Sequence, residues 1–294
     1  MKFSIAGLKM EVEGMSGLPE QMSNLRPFVV PEKDAEPPIC TIKCGCQPDN
    51  ADGRPSLTSS FDGKTLSLWL MPDRNMASLR FDGNGKTYSM EASCDWKYIK
   101  TDCTADSRYG CMALGDFIMI GFIYSSAYHD TVLIHASCVA VGSSAAVFIG
   151  PSGIGKSTHS NLWLKHIEGS RLLNDDQPAL RIDSGGNVTV HGTPWSGKTS
   201  CYHNECAKVN SIFMMAQANR NEAVRLGGLD SFCALLDMTS LIRSDISSFS
   251  RISKTVAAIA GKVGMYTLYN RADREAVETS HEIFSQSGKK EIKE

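Results

Sequence analysis

A chain of 294 residues, 42% hydrophobic and 21% charged, is long enough for two domains and apolar enough to bury substantial cores. A formal net charge of −2, with lysines and arginines scattered along the chain, excludes a basic nucleic-acid-binding field as its organising feature. Ten cysteines are spaced irregularly, and the C-x3-C-x-C group Cys40/Cys44/Cys46 lacks the second short pair that a structural zinc site requires. Reduced thiols in a cytoplasmic protein are therefore expected.

The opening MKFSIAGLKMEVEG alternates apolar and polar residues, as a strand does, and lacks the apolar core of a secretory signal. Thr65–Leu70 and Met76–Phe81 are strand-like, and Asp82-Gly83-Asn84-Gly85 turns the second into Lys86–Met90 as a hairpin. Segments 31–38 and 47–55 are rich in Pro, Asp and Gly and read as loops. Phe117–Tyr124 is an apolar run too short to cross a bilayer and reads as a buried helix, so no membrane association is expected. These features make residues 1–126 a β-rich N-terminal domain without a catalytic motif.

From 127 to 294 strands and helices intermingle, the pattern of an α/β domain. Thr131–Val141 and Ala145–Ile149 read as two strands joined by Gly142-Ser143-Ser144, again a hairpin. A helix is expected over Thr158–His166, a short strand at Arg171–Leu173, and a hairpin from Ala179–Ile182 and Val188–His191. Asn210–Gln217 and Met265–Tyr269 are strand-like, and Ser231–Met238 and Ser247–Ala260 helical.

The second strand of the first of these hairpins runs directly into Gly150-Pro151-Ser152-Gly153-Ile154-Gly155-Lys156-Ser157-Thr158, which fits G-x-x-x-x-G-K-[ST]. Glycines let successive N–H groups curl inward around phosphate oxygens, and the helix that follows adds the positive end of its dipole. Lys156 is placed to reach the β- and γ-phosphates of a nucleotide, and the Ser157 hydroxyl to ligate Mg²⁺. ATP and Mg²⁺ are the cofactors expected.

Asp175-Asp176 follows Leu172-Leu173-Asn174 a short way beyond the loop. On a strand the two carboxylates point to opposite faces, so one could support Mg²⁺ while the other serves as base toward a hydroxyl. The competing reading is a polar turn, since Asn, Asp and Pro favour turns. In His191–Thr199 (HGTPWSGKT), Gly192 and Gly197 flank a turn carrying Trp195 and Lys198. Lys198 is a candidate for the γ-phosphate or an acidic acceptor. Arg243 and Arg251 are either anion clamps or part of a solvated helix face.

His135 in LIHASCVAV, the loop GPSGIGKST and LLNDDQPAL together resemble the catalytic core of HPr kinase/phosphorylase, over roughly residues 127–270. HGTPWSGKT is similar to a segment of uncharacterised HPr-kinase-like proteins. The resemblance implies a phosphoenolpyruvate-carboxykinase-like fold with a mixed sheet. It also implies that Asp176 accepts the proton of the attacking hydroxyl, that Asp175 lies near the metal, and that His135 tunes the proton transfer. The metal-binding glutamate and the phosphorolysis signature of those enzymes have no clear match here, and residues 1–126 do not resemble their N-terminal domain.

The expectation is thus an ATP-dependent kinase acting on a hydroxyl: a serine of a protein or peptide, or free serine. Its rivals are an ATP-sensing regulatory module without turnover and a carboxykinase-type enzyme. Oligomeric state and the role of residues 1–126 are left open by the sequence.

Overall fold

The computed structural model describes residues 1–31, 36–51, 53–83, 85–197, 199–241, 243 and 245–289. The chain clusters into two compact units, one of Met1–Tyr128 with Ile242–Ser248, the other of His129–Leu241 with Phe249–Glu294.

The first unit is built on a nine-stranded sheet. Its strands are β1 (Lys2–Ile5), β2 (Leu8–Glu13), β3 (Val29–Val30), β4 (Cys40–Lys43), β5 (Leu57–Phe61), β6 (Lys64–Leu70), β7 (Arg74–Phe81), β8 (Thr87–Ser93) and β9 (Tyr98–Thr101). They lie in the order β3-β1-β2-β4-β9-β8-β7-β6-β5. The opening segment is two strands rather than one: Ala6 and Gly7, both at positive φ (51° and 72°), make the tight turn between β1 and β2. The hairpin expected around residues 82–85 is present as β7 and β8.

Helix α1 (Arg108–Ser126) packs on this sheet, its first turn capped by Ser107 Oγ, which accepts from Gly110 N–H at 3.1 Å. A Cβ on Gly121 would stand 2.9 Å from Ile99 Cδ1, so the helix lies close against the strands here. The expectation of a short apolar run needs correcting. The helical segment Arg108–His129 has 22 residues, and an 18-residue window of it has a mean hydropathy of 1.4, long and apolar enough to span a bilayer by length and composition. Yet 78% of that window is buried inside the protein, as in the core helix of a sheet-and-helix layer.

The second unit holds a mixed sheet of β10 (Thr131–Leu133), β11 (Ala136–Val141), β12 (Ser144–Ile149), β13 (Ser170–Asp176), β14 (Ala179–Ile182), β15 (Val188–His191), β16 (Cys206–Gln217), β17 (Glu222–Arg225) and β18 (Gly264–Asn270). The order is β10-β14-β15-β16-β12-β11-β13. The long strand β16 pairs along one edge with β12 in parallel; along the other it pairs first with β15 and then, in parallel, with β18. The α-helices after α1 are α2 (Lys156–His166), α3 (Gly228–Asp237), α4 (Ile246–Lys262) and α5 (Arg274–Lys289).

Packing explains why the sheet carries helices. Phe148 on β12 stacks on Phe213 of β16 (centroids 5.6 Å apart) and meets Trp163 of α2 edge-on at 5.8 Å; Trp163 in turn meets Phe284 of α5 at 5.4 Å. Val139, Met215, Leu268 and Val277 close the same cluster. Helix α5 has no counterpart in the sequence expectation, because its inward stripe of Val277, Ser280 and Phe284 is interrupted by a serine. That serine is fully buried and accepts from Trp163 Nε1–H at 2.9 Å.

Candidate active site

The phosphate loop lies between β12 and α2. Gly150, Gly153 and Gly155 have φ of 145°, 81° and 112°, a conformation that side-chain-bearing residues rarely adopt. A Cβ at Gly153 or Gly155 would meet nothing within 4 Å. Helix α2 starts on Gly155 without a side-chain cap, leaving its first N–H groups unclaimed by any capping side chain. Ser157 and Thr158 are exposed, whereas Lys156 is buried.

Lys156 Nζ donates to the loop's own carbonyls, Gly150 O at 2.8 Å and Pro151 O at 3.2 Å. Burial pulls its pKa below the ordinary lysine value, opposed by the nearby charges of Asp176 and Asp175. Its ammonium is held by weak neutral acceptors that a phosphate could replace.

Strand pairing brings the carboxylates to this place. Ala136, the first residue of β11, pairs with Ile149 on one side and with Asp176 on the other. The strand ends preceding the loop and carrying the aspartates therefore stand level, one strand apart on either side, roughly 10 Å from each other by ordinary strand spacing. Asp175 and Asp176 end a strand instead of forming a free polar turn, which corrects the competing sequence reading. The pairing of β13 with β11 slips between Leu172 and Asn174, a bulge at Leu173 that re-aims the residues beyond it. Asp175 is 9% exposed, while the side chain of Asp176 is 38% exposed.

His135 sits at a break that the sequence does not announce. The run 131–141 divides into β10, paired with β14, and β11, paired with β12 and β13. At the break, His135 N–H donates to Met238 O at 2.7 Å and Ile134 N–H to Pro178 O at 3.1 Å, fixing the main chain. The ring then places Nε2 3.5 Å from Asp176 Oδ1. Burial first and the Lys156 charge second lower the histidine pKa; Asp176 opposes them without reversing the direction. The ring is neutral at neutral pH. His135, Lys156 and Asp176 thus form one electrostatically connected group.

The segment after His191 crosses the end of β13. Asp176 bridges Ser196, and Gly197 N–H donates to Asp175 O at 3.2 Å. Both glycines are required by close approach: a Cβ on Gly192 would lie 2.0 Å from His203 O, and one on Gly197 2.8 Å from Asp175 O. Trp195 is half-buried beside them. Lys198 lies outside the described residues. Arg251 lies within α4, and Arg243 is exposed.

Sequence reasoning missed a cleft beside the loop, ≈ 360 Å³, lined by Gly155, Thr158 and His159 on one wall and by Gln217, Asn270 and Arg271 on the other. The second wall is the carboxyl ends of β16 and β18, which run parallel to β12, the edge where open α/β sheets bind ligands. No local motif marks those residues; only the parallel pairing gathers them. Sequence reasoning also missed Asn174, although it adjoins the aspartates.

Among the described residues no group of three or more His, Cys, Asp or Glu side chains is arranged to hold a metal, Cys40, Cys44 and Cys46 included. Burial pushes the thiols of Cys40 and Cys44 up to about 12 and about 11, the direction of inert structural cysteines.

No family model matches the chain, and no curated protein matches it. Among solved structures, the chain is similar to the Hpr(Ser) kinase/phosphatase from Coxiella burnetii, with a TM-score of 0.32 and 10% identity over 54% of this chain and 98% of that one. Similarity at that level assigns the chain to no family.

Proposed function

We propose that this protein is an ATP-dependent kinase that transfers the γ-phosphoryl group to a hydroxyl, either a serine of a protein or peptide or free serine, on a carboxykinase-like phosphate-loop domain. The observation that carries this reading is the double pairing of Ala136, which sets the glycine loop and its lysine level with the His135–Asp176 pair.

The curl of residues 150–155 and the uncapped start of α2 bind the phosphates, and Lys156 moves from its own carbonyls to the β- and γ-phosphate oxygens. The adjoining cleft takes the nucleoside. Lys198 is a further candidate for the γ-phosphate. Mg²⁺ fits the donors present, the exposed Ser157 hydroxyl and the Asp175 carboxylate, because this ion keeps several waters and needs only one or two carboxylates beside substrate phosphates. When bound it neutralises charge on the transferring group.

Asp176, half-exposed and beside a neutral imidazole, takes the proton of the acceptor hydroxyl as that oxygen bonds to the γ-phosphorus. The bond from the γ-phosphorus to the β,γ-bridging oxygen breaks, and ADP leaves. His135 keeps an uncharged partner against Asp176 at neutral pH.

The test is consumption of MgATP by the full chain in the presence of L-serine or serine peptides, with label from γ-³²P followed onto the acceptor. Labelled acceptor that disappears with Asp176→Asn supports the proposal. Tight ATP binding with no transfer to any hydroxyl overturns it in favour of an ATP-sensing module.

A further inference from the structure

The chemistry above needs the Asp176 carboxylate held still at the last residue of its strand, where the pairing with β11 ends. Asn174 supplies a further hold. It is fully buried, and both ends of its amide are occupied. Oδ1 accepts from the main-chain N–H groups of Asp176 and Gln177, both at 3.0 Å. Nδ2 donates toward Trp195 O at 3.1 Å and toward Thr193 Oγ1 and O at 3.2 and 3.4 Å. Thr193 Oγ1 completes the frame by donating to Gln177 O at 2.7 Å.

An ordinary Asx turn would use only the oxygen end, to the residues just downstream. Here the nitrogen end also grips the HGTPW segment, whose Ser196 bridges Asp176 from the other side. The amide is the one common side chain of this size that offers two acceptor sites to N–H groups and two donors to carbonyls at once.

We infer that Asn174 is the positioning residue of this site: its buried amide locks the main chain of Asp176 against the Thr193–Trp195 segment and so fixes the carboxylate that faces the acceptor hydroxyl. The inference rests on the kinase reading for its consequence, but the clamp itself does not depend on it. Misplacing a catalytic group by about 1 Å costs on the order of a hundredfold in rate.

The experiment uses the full chain with Asn174→Ala and Asn174→Asp. Three quantities are measured: MgATP turnover with L-serine, ATP affinity by calorimetry, and hydrogen exchange of the peptides covering 174–177 and 150–158. With Asn174→Ala, kcat falls on the order of a hundredfold, ATP affinity stays within about twofold, and exchange speeds up over 174–177 but not over 150–158. With Asn174→Asp, the oxygen end toward the N–H groups of Asp176 and Gln177 is kept while the donors to Trp195 O and Thr193 are lost. Its kcat therefore also falls, with ATP affinity within about twofold of wild type, which assigns the effect to the grip on the Thr193–Trp195 segment. A proportional loss of ATP affinity, or equal loosening of both peptides, would mean a merely structural asparagine and overturns the inference. If the wild-type chain consumes no MgATP, the kinase reading fails while the exchange result still decides the clamp.

Discussion

His135 Nε2 stands 3.5 Å from Asp176 Oδ1, and the histidine is kept neutral at neutral pH by burial and by the charge of Lys156. The two form an ion pair only in acid, when the ring takes up a proton and binds the carboxylate that should serve as base.

Turnover should accordingly fall as pH drops below the ordinary histidine range, because protonation of His135 engages Asp176. His135→Gln leaves only the ionisation of Asp176 itself to limit the acidic side. Its kcat should stay within about tenfold of wild type at pH 8, and its acidic limb should move to lower pH. An unchanged acidic limb in the pH–rate profile would remove His135 from the proton transfer.

Lys156→Ala removes a buried cation whose present partners are two main-chain carbonyls. The fold should survive, with a melting temperature near that of wild type. ATP affinity should drop by about a hundredfold or more, since hydrogen bonds to charged groups contribute roughly 1.5–3 kcal/mol and the lysine makes more than one. Calorimetric titration that finds wild-type affinity would refute the phosphate-loop assignment.

Gly192→Ala would drive a methyl group to 2.0 Å from His203 O and 3.0 Å from Leu173 O, both of them main-chain atoms without an easy retreat. Strain of this kind costs about 1–3 kcal/mol or more. Urea denaturation should show that loss, together with a fall in turnover as the crossing over β13 shifts. At Gly153, where a Cβ meets nothing, Gly153→Ala should destabilise through its positive φ alone, by about 1–2 kcal/mol.

His159 in α2 is buried against Phe148 and Ser280, and burial lowers its pKa to about 4. The unfolded chain therefore binds a proton that the folded one refuses between about pH 6.5 and about 4. The stability linked to this residue is complete above pH 6.5 and is lost as pH falls through that window, up to roughly 3 kcal/mol at about 1.4 kcal/mol per pH unit. Denaturation of His159→Gln at pH 7 and pH 4.5 should show a smaller acid loss than wild type. Equal losses would mean that His159 is protonated in the native state.

Much of the site could be read directly from the sequence because it is local chemistry. The loop, the helix after it and the hairpin before it need only glycine placement and apolar periodicity, which act within a few residues. The strand identity of Asp175 and Asp176 was open, because Asn-Asp-Asp-Gln-Pro is equally good turn sequence and only pairing with β11 decides it. The break at Ile134–His135 was hidden inside a mostly apolar run, since its cause is hydrogen bonding to Pro178 and Met238 far along the chain. Asn174 gave no sign of its partners for the same reason.

The sequence alone determined that a glycine-rich curl exists, which lysine backs it, and which acidic residues follow. Those follow from residue type and from contacts within one turn of chain. The tertiary structure alone decided that Ala136 faces both Ile149 and Asp176, that Gly192 and Gly197 let a distant segment close over the carboxylates, and that the ends of β16 and β18 wall a cleft beside the loop. Sheet register is set by the summed burial of both faces across strands distant in sequence, so no local pattern carries it.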